Sequence, residues 1–219
     1  MSETELAGYV TRGGVQTFAP PILAKGTRMT SLALEADPAA LQRIVDQFLN
    51  GPVAAQSNQR FFALGNVVFL AYAPMDHISV TDPIDRNKGF MRETDVAIWM
   101  PLVGGKRVAG VFVPTSVYWF MPYVWVDVPA AMTTGREVFG FPKEMAWVQG
   151  KGAGADGRTF SLSTLVLPSY TPETELLEKP LFSVERRSDT EPGLQQTWTE
   201  AKDAFEAVAG WLHAEKGQI

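Results

Sequence analysis

Leu41, Ile44, Val45, Phe48 and Leu49 recur at spacings of three and four, which predicts one buried face of a helix. Its ends are punctuated: Asp37 can cap it, Pro38 suits the first turn, and Gly51-Pro52 close it. Before it, residues 1–26 read as an extended arm and Thr27 to Ala36 as a strand. Phe61 to Tyr72 is apolar almost throughout and reads as a buried strand, or as two strands around Gly65-Asn66. Pro74 to Arg92 is polar and reads as a loop. Asp95 to Leu102 and Arg107 to Pro114 are strand-like, with Gly104-Gly105-Lys106 between them as a hairpin signal.

Asp127-Val128-Pro129 starts a short helix that Gly140 and Pro142 end. Ala146 to Gln149 and Thr159 to Leu167 read as a further strand pair across a glycine-rich turn. Residues 168–193 are rich in proline and charge and are expected to wrap the surface. Leu194, Trp198, Ala201, Phe205, Val208 and Leu212 then line one side of an amphipathic helix. Its polar face carries Glu200, Asp203 and Glu206, which suits docking on a core or a neighbouring subunit and not on a membrane. One domain over residues 1–219 is expected, with 168–219 as wrapping segment and C-terminal helix.

Composition narrows the function. Hydrophobic residues make up 46% and charged residues 20% of the 219, enough for a core and against wholesale disorder. With 15 proline and 19 glycine, many short elements joined by turns are expected. Net charge is −5 and no basic stripe is visible, so nucleic-acid binding has no support. The absence of cysteine removes disulfides, thiolate nucleophiles and sulfur-ligated metals. The apolar tract Val117 to Val126 is short and holds Pro122, whereas a membrane helix needs about 20 apolar residues. The acidic start Met1-Ser2-Glu3-Thr4-Glu5 leads into no apolar core, so a cytoplasmic protein is expected.

Several motifs fall away on context. Gly152 to Gly157 matches GxGxxG, but the alternating Arg158-Thr159-Phe160-Ser161-Leu162 after it suits a hairpin loop better than a dinucleotide site. Asp76, His77, Asp82 and Asp85 are potential metal ligands. Neither histidine of the chain, His77 or His213, has a partner at zinc-like spacing, so turn-forming aspartates are the preferred reading. No metal and no cofactor are expected.

Lys143 is different. It comes directly after Gly140-Phe141-Pro142, in an apolar neighbourhood that includes Phe139, Phe141 and Tyr118 to Met121. Burial disfavours the charged form of a lysine. The neutral amine is a nucleophile for carbonyl carbon and forms Schiff bases. A position just past a helix C-terminus works the other way, favouring the ammonium. The bland alternative is an exposed lysine at the start of a strand.

The stretch Gly135-Arg136-Glu137-Val138-Phe139-Gly140-Phe141-Pro142-Lys143-Glu144 resembles the active-site signature of the acetoacetate decarboxylase superfamily. The resemblance extends over Leu23 to Trp147. It implies an α+β, mainly antiparallel fold, a cone-shaped β-barrel with a few peripheral helices, usually as a homo-oligomer. It makes Lys143 the Schiff-base lysine and Glu93, in Arg92-Glu93-Thr94, the matching active-site acid. Arg28, in Lys25-Gly26-Thr27-Arg28, falls at the family's substrate-carboxylate arginine. Phe141 beside the lysine is the second candidate substrate-binding residue.

Three departures stand out. Glu144 occupies the place of the family's second lysine, removing the cationic neighbour that can activate the first. If the segment is a strand, Lys143 and Glu144 point to opposite faces. A further family glutamate is replaced by an apolar residue, assigned to Leu70. The family's C-terminal portion is longer than the segment after Lys143 in this chain. Part of the barrel wall is therefore expected to be abbreviated, rebuilt by residues 158–219 or completed by another subunit. The implied activity is a lyase acting on a small keto acid: decarboxylase, aldolase or dehydratase. The alternatives are a non-catalytic binder using the same pocket and a partner subunit whose barrel supports assembly.

Overall fold

A computed structural model describes residues 16–53, 57–150 and 159–185. The strands are β1 (Ile22–Lys25), β2 (Thr30–Glu35), β3 (Gln59–Ala63), β4 (Val67–Val80), β5 (Met91–Val108), β6 (Val111–Val126), β7 (Lys143–Gln149), β8 (Thr159–Val166) and β9 (Leu177–Glu185). The helices are α1 (Pro38–Val45), prolonged by a π turn and a short final turn to Val53, and α2 (Pro129–Glu137). The hydrogen-bonded path runs β1-β4-β5-β6-β7-β8-β9, with β2 on β4 and β3 on β5. Among the described residues this mostly antiparallel sheet does not close, where a closed barrel was expected. The β6–β7 pairing is parallel and sets Val124 beside Lys143.

Two compact units share the long strands, with β4, β5 and β6 each giving one end to either unit. In the unit of residues 30–72 and 96–123, Asp37 accepts the Ala39 N–H at 2.8 Å and starts α1 as predicted. Leu41 and Val45 of α1 pack on Val68, Met100 and Leu102. Ile44 and Leu49 join that core, but Phe48 is 44% exposed, set edge-on to Tyr123. Asn50 donates to the Phe61 carbonyl (2.9 Å) and accepts its N–H (2.8 Å), while Gln42 accepts the Ala63 N–H (3.0 Å). These amides satisfy backbone groups of β3 as a neighbouring strand would.

The predicted hairpin turn at Gly104 to Lys106 is displaced. β5 continues through it, and the reversal falls at Ala109 (φ 49°) and Gly110 (φ 84°), the two positive values a tight type I′ hairpin requires. Gly104 and Gly105 sit within the strand for lack of room. A Cβ on residue 104 would lie 3.0 Å from the Phe61 ring, and one on residue 105 would lie 2.7 Å from the Pro114 Cα.

The other unit, with described residues 16–29, 73–95, 124–150 and 159–185, holds the remaining elements. Here β4 runs on to Val80, so the expected polar loop begins only after it. Ile78 and Val80 are buried at alternate positions, and Asp76, His77 and Ser79 mask the alternation in the sequence. β7 and β8 pair as expected, with Ala146 opposite Thr164. The supposed wrapping segment contains β9, which pairs along the whole of β8 with a bulge at Leu181, opposite the step from Leu162 to Ser163. The amphipathic helix expected over 194–212 and the glycine-rich loop over 152–157 lie outside the described residues. Among the described residues no helix is long and apolar enough to cross a membrane.

Candidate active site

Two short-range features deliver Lys143. Gly140 at φ 74° reverses the chain between Phe139 and Phe141, so both rings face one space, 6.3 Å apart. The Phe141 N–H returns to the Gly135 carbonyl at 2.9 Å, and the Lys143 N–H to that of Phe141 at 2.8 Å. The lysine stem then lies on the backbone of α2. A Cβ on residue 135 would stand 2.9 Å from Lys143 Cε, so only glycine leaves the stem its path. Next in sequence, the Arg136 guanidinium donates to the Lys143 carbonyl (3.0 Å) and to Glu144 (2.7 Å). Glu144 is 61% exposed in that pair and is not among the cavity-lining residues. The period of the strand separates it from the neighbouring Lys143 side chain.

Glu93 and Asp95 come from β5. Being two residues apart, they share a face of the strand. Between them, the Thr94 backbone N–H donates to the Asp127 carboxylate at 2.8 Å, tying β5 to the chain entering α2. Lys143 Nζ donates to Glu93 Oε1 at 3.0 Å and reaches the Asp95 oxygens at 3.3 and 3.4 Å. The three side chains are 12%, 6% and 26% exposed, in the order Lys143, Glu93, Asp95.

Two carboxyl groups this close and this buried do not both ionise readily. The Asp95 carboxyl is pushed up to about 8, first by burial, then by its hydrogen bond to Glu93 and by that group's charge; Lys143 pulls the other way. Near neutral pH Asp95 thus keeps its proton beside the Lys143–Glu93 contact.

The cluster forms part of the wall of a cavity of about 450 Å³ lined otherwise mainly by apolar side chains. Phe18, Phe90, Phe139 and Phe141 contribute rings to it. Phe90 stacks on His77 with centroids 4.4 Å apart. At another point of the lining, Lys88 pairs with buried Asp85 at 2.7 Å and lies 5.3 Å from the Phe18 ring centre. Asp85 also accepts the Ala19 N–H at 3.0 Å, and Lys88 holds its carboxyl below the usual aspartate range.

Of the residues singled out in the sequence, Lys143, Glu93 and Phe141 meet at this cavity. Arg28 does not line it: the residue is exposed between β1 and β2, its N–H bonded to the Pro74 carbonyl at 3.1 Å. The Tyr118 to Met121 tract is not part of the lining either. Tyr118 packs on Phe61 and Trp119 on Phe69 and Trp99. Leu70 is buried in β4 opposite Leu32. Asp82 caps a turn through the Ile84 and Asp85 N–H groups, and no metal-ligand cluster occurs among the described residues. Asp95, Lys88 and the room made by Gly135 were not anticipated. The Glu93-Thr94-Asp95 spacing was the available signal for the first.

The family model for acetoacetate decarboxylase (ADC) matches residues 7–163, more than half of the chain, and the protein belongs to that family. No curated protein matches the sequence. Among solved structures, it is similar to the acetoacetate decarboxylase from Legionella pneumophila subsp. pneumophila str. Philadelphia 1. Identity is 20%, over 74% of this chain and 55% of that one, with a TM-score of 0.45. A second acetoacetate decarboxylase structure is 15% identical over 68% of this chain and 48% of that one, with a TM-score of 0.43. The enduracididine biosynthesis enzyme MppR complexed with pyruvate is 16% identical over 86% of this chain and 68% of that one, with a TM-score of 0.47. The chain spans about half the length of the two decarboxylases.

Proposed function

We propose that the protein is a Schiff-base lyase of keto acids with Lys143 as its nucleophile. The observation that carries this reading is the placement of Lys143 Nζ on a cavity wall, 3.0 Å from Glu93 and 3.3 Å from Asp95. Membership of the acetoacetate decarboxylase family supports it. The missing second lysine matters less in this scheme, because a base within hydrogen-bond reach activates the amine directly.

Glu93 takes the ammonium proton, and the free amine attacks the keto carbon. The carbinolamine loses its hydroxyl as water, using the proton stored on Asp95. The iminium that results draws in the electron pair of the neighbouring C–C bond. With a 3-keto acid that bond releases CO2 and leaves an enamine. Glu93 returns its proton to the enamine carbon. Water then attacks the iminium, Asp95 recovers its proton, ketone departs, and Lys143 takes up one proton from solvent. The net change is keto-acid anion plus proton to ketone plus CO2. With a 2-keto acid the iminium instead loses a C3 proton to the Asp95 carboxylate, and the enamine so formed supports aldol or dehydration chemistry. Lys88, the cation besides Lys143 among the described lining residues, offers a counter-charge for the substrate carboxylate.

Borohydride trapping tests the reading. After incubation with acetoacetate, longer 3-keto acids or pyruvate, reduction is expected to add the ketone-derived mass to Lys143. Release of CO2 then separates decarboxylase from aldehyde-dependent aldolase. A second reading, a ligand-binding protein without catalysis, is favoured by the contact that occupies Lys143 Nζ with Glu93 at 3.0 Å. Absence of an adduct with every keto acid would overturn the first reading in favour of the second.

A further inference from the structure

The cavity is large for the substrate that its family name suggests. At about 450 Å³ it falls among pockets that enclose ligands of drug size, roughly 300–1,000 Å³. A four-carbon keto acid at Lys143 would leave most of that space to water. The water would stand against Met75, Ile78, Phe90, Phe139 and Phe141, which line the same cavity. Wet apolar walls are unfavourable, and covering them with apolar substrate is the ordinary source of affinity in such a pocket.

The distribution of polarity is also uneven. Glu93, Asp95 and Lys143 form one compact polar group, and Lys88 adds an ammonium held by buried Asp85. The walls named above present no strong hydrogen-bonding side chain, and the Ser79 and Thr134 hydroxyls on the same lining are engaged by His77 (3.0 Å) and the Phe18 N–H (3.2 Å), so the space suits neither a hydroxylated sugar acid nor a second carboxylate. Near Gly135, the wall from α2 is built of the small residues Ala130 and Ala131, which leave width for a ligand.

We infer that the substrate is a keto acid bearing an extended apolar group, an alkyl chain of about six to ten carbons or an aryl ring. The carbonyl meets Lys143, and the apolar group fills the phenylalanine-lined space. Remote binding of this kind positions the reacting carbon and is used in the transition state. The keto-acid half of the inference rests on the Schiff-base reading, and the apolar half on the cavity alone.

Two series test it on the full chain. In the first, freshly prepared straight-chain 3-keto acids of about four to fourteen carbons are trapped with borohydride, and the half-saturating concentration is measured. In the second, binding of methyl ketones of the same lengths is measured by calorimetry to the wild type and to Lys143→Met. Half-saturation and dissociation constants are expected to fall about fourfold per methylene until the cavity is full. Ala130→Phe is expected to shift the preferred length downward in both series. Constants independent of length, a best fit at four carbons, or an Ala130→Phe profile identical to wild type would each overturn the inference. Length-dependent ketone binding without any Lys143 adduct would uphold the apolar ligand and overturn the Schiff-base reading. Adducts that form equally at every length would do the reverse.

Discussion

The stem of Lys143 lies against the backbone of Gly135, so close that a Cβ at residue 135 would stand 2.9 Å from Lys143 Cε. The glycine eight residues upstream therefore decides where the amine points. Gly135→Ala is expected to push Nζ away from Glu93 and Asp95. Crowding in a packed site costs about 1–3 kcal/mol, and a displacement of about 1 Å is worth on the order of a hundredfold in rate. A thermal melt and the rate of borohydride-trapped adduct formation check the two effects. An unaltered trapping rate would show that the stem has another route.

Glu93→Gln separates the base from the space it fills. The amide keeps the shape and still accepts a hydrogen bond from Lys143, but it cannot take the ammonium proton at 3.0 Å. Removal of a positioned base slows the step it serves by about 10² to 10⁴. Adduct formation is expected to slow by that factor at pH 7 and to recover as pH rises and hydroxide replaces the carboxylate as base. A rate equal to wild type at neutral pH would assign the base elsewhere.

How far the site was legible in the sequence depends on the distance over which each part is built. α1 was readable because Asp37, Pro38 and the spacing of Leu41 and Val45 act within one helix. Lys143 and Phe141 were readable because Gly140 and Pro142 bend the chain locally. The Gly104-Gly105 pair misled because its glycines answer to the Phe61 ring, distant in sequence, and to the Pro114 backbone across the hairpin. β9 was missed because Glu178, Lys179 and Pro180 break its alternation, and Pro180 stands beside the bulge opposite Ser163. Asp95 looked like the polar start of a strand. Its proximity to a lysine 48 residues away comes from the course of the sheet. Of the desolvating aromatics expected, Phe139 and Phe141 line the cavity and Tyr118 to Met121 do not; the other rings of the lining are Phe18 and Phe90.

Asp95 makes stability depend on pH in a stated direction. Its carboxyl is raised from 3.8 in the ordinary state to about 8 in the folded chain, chiefly by burial. Between those values the unfolded chain has lost this proton and the folded chain keeps it. The folded state then binds more protons, so stability falls as pH rises through this window and levels off above it. The slope from one such group is at most about 1.4 kcal/mol per pH unit. Asp95→Asn is expected to remove it, so that the variant gains on the wild type between pH 5 and pH 8. Urea unfolding at both pH values measures the difference. Parallel behaviour of the two proteins would place the stored proton on another group.

Lys88 has two duties that one substitution confounds and two can separate. It neutralises Asp85, which is 1% exposed, and it lines the cavity that holds Lys143. Lys88→Met alone leaves a buried carboxylate with the Ala19 N–H, and loss of one partner of a buried pair costs about 3–5 kcal/mol. Combining Lys88→Met with Asp85→Asn removes both charges, and most of that stability is expected to return in a chemical melt. The affinity for keto acids should not return with it. The double variant is expected to show a KM for keto acids raised about tenfold or more, the worth of one charge-assisted hydrogen bond. Binding of an uncharged methyl ketone should stay near wild type, because it presents no carboxylate to Lys88. A double variant with wild-type KM would make the Lys88–Asp85 pair purely structural and leave the carboxylate to another cation.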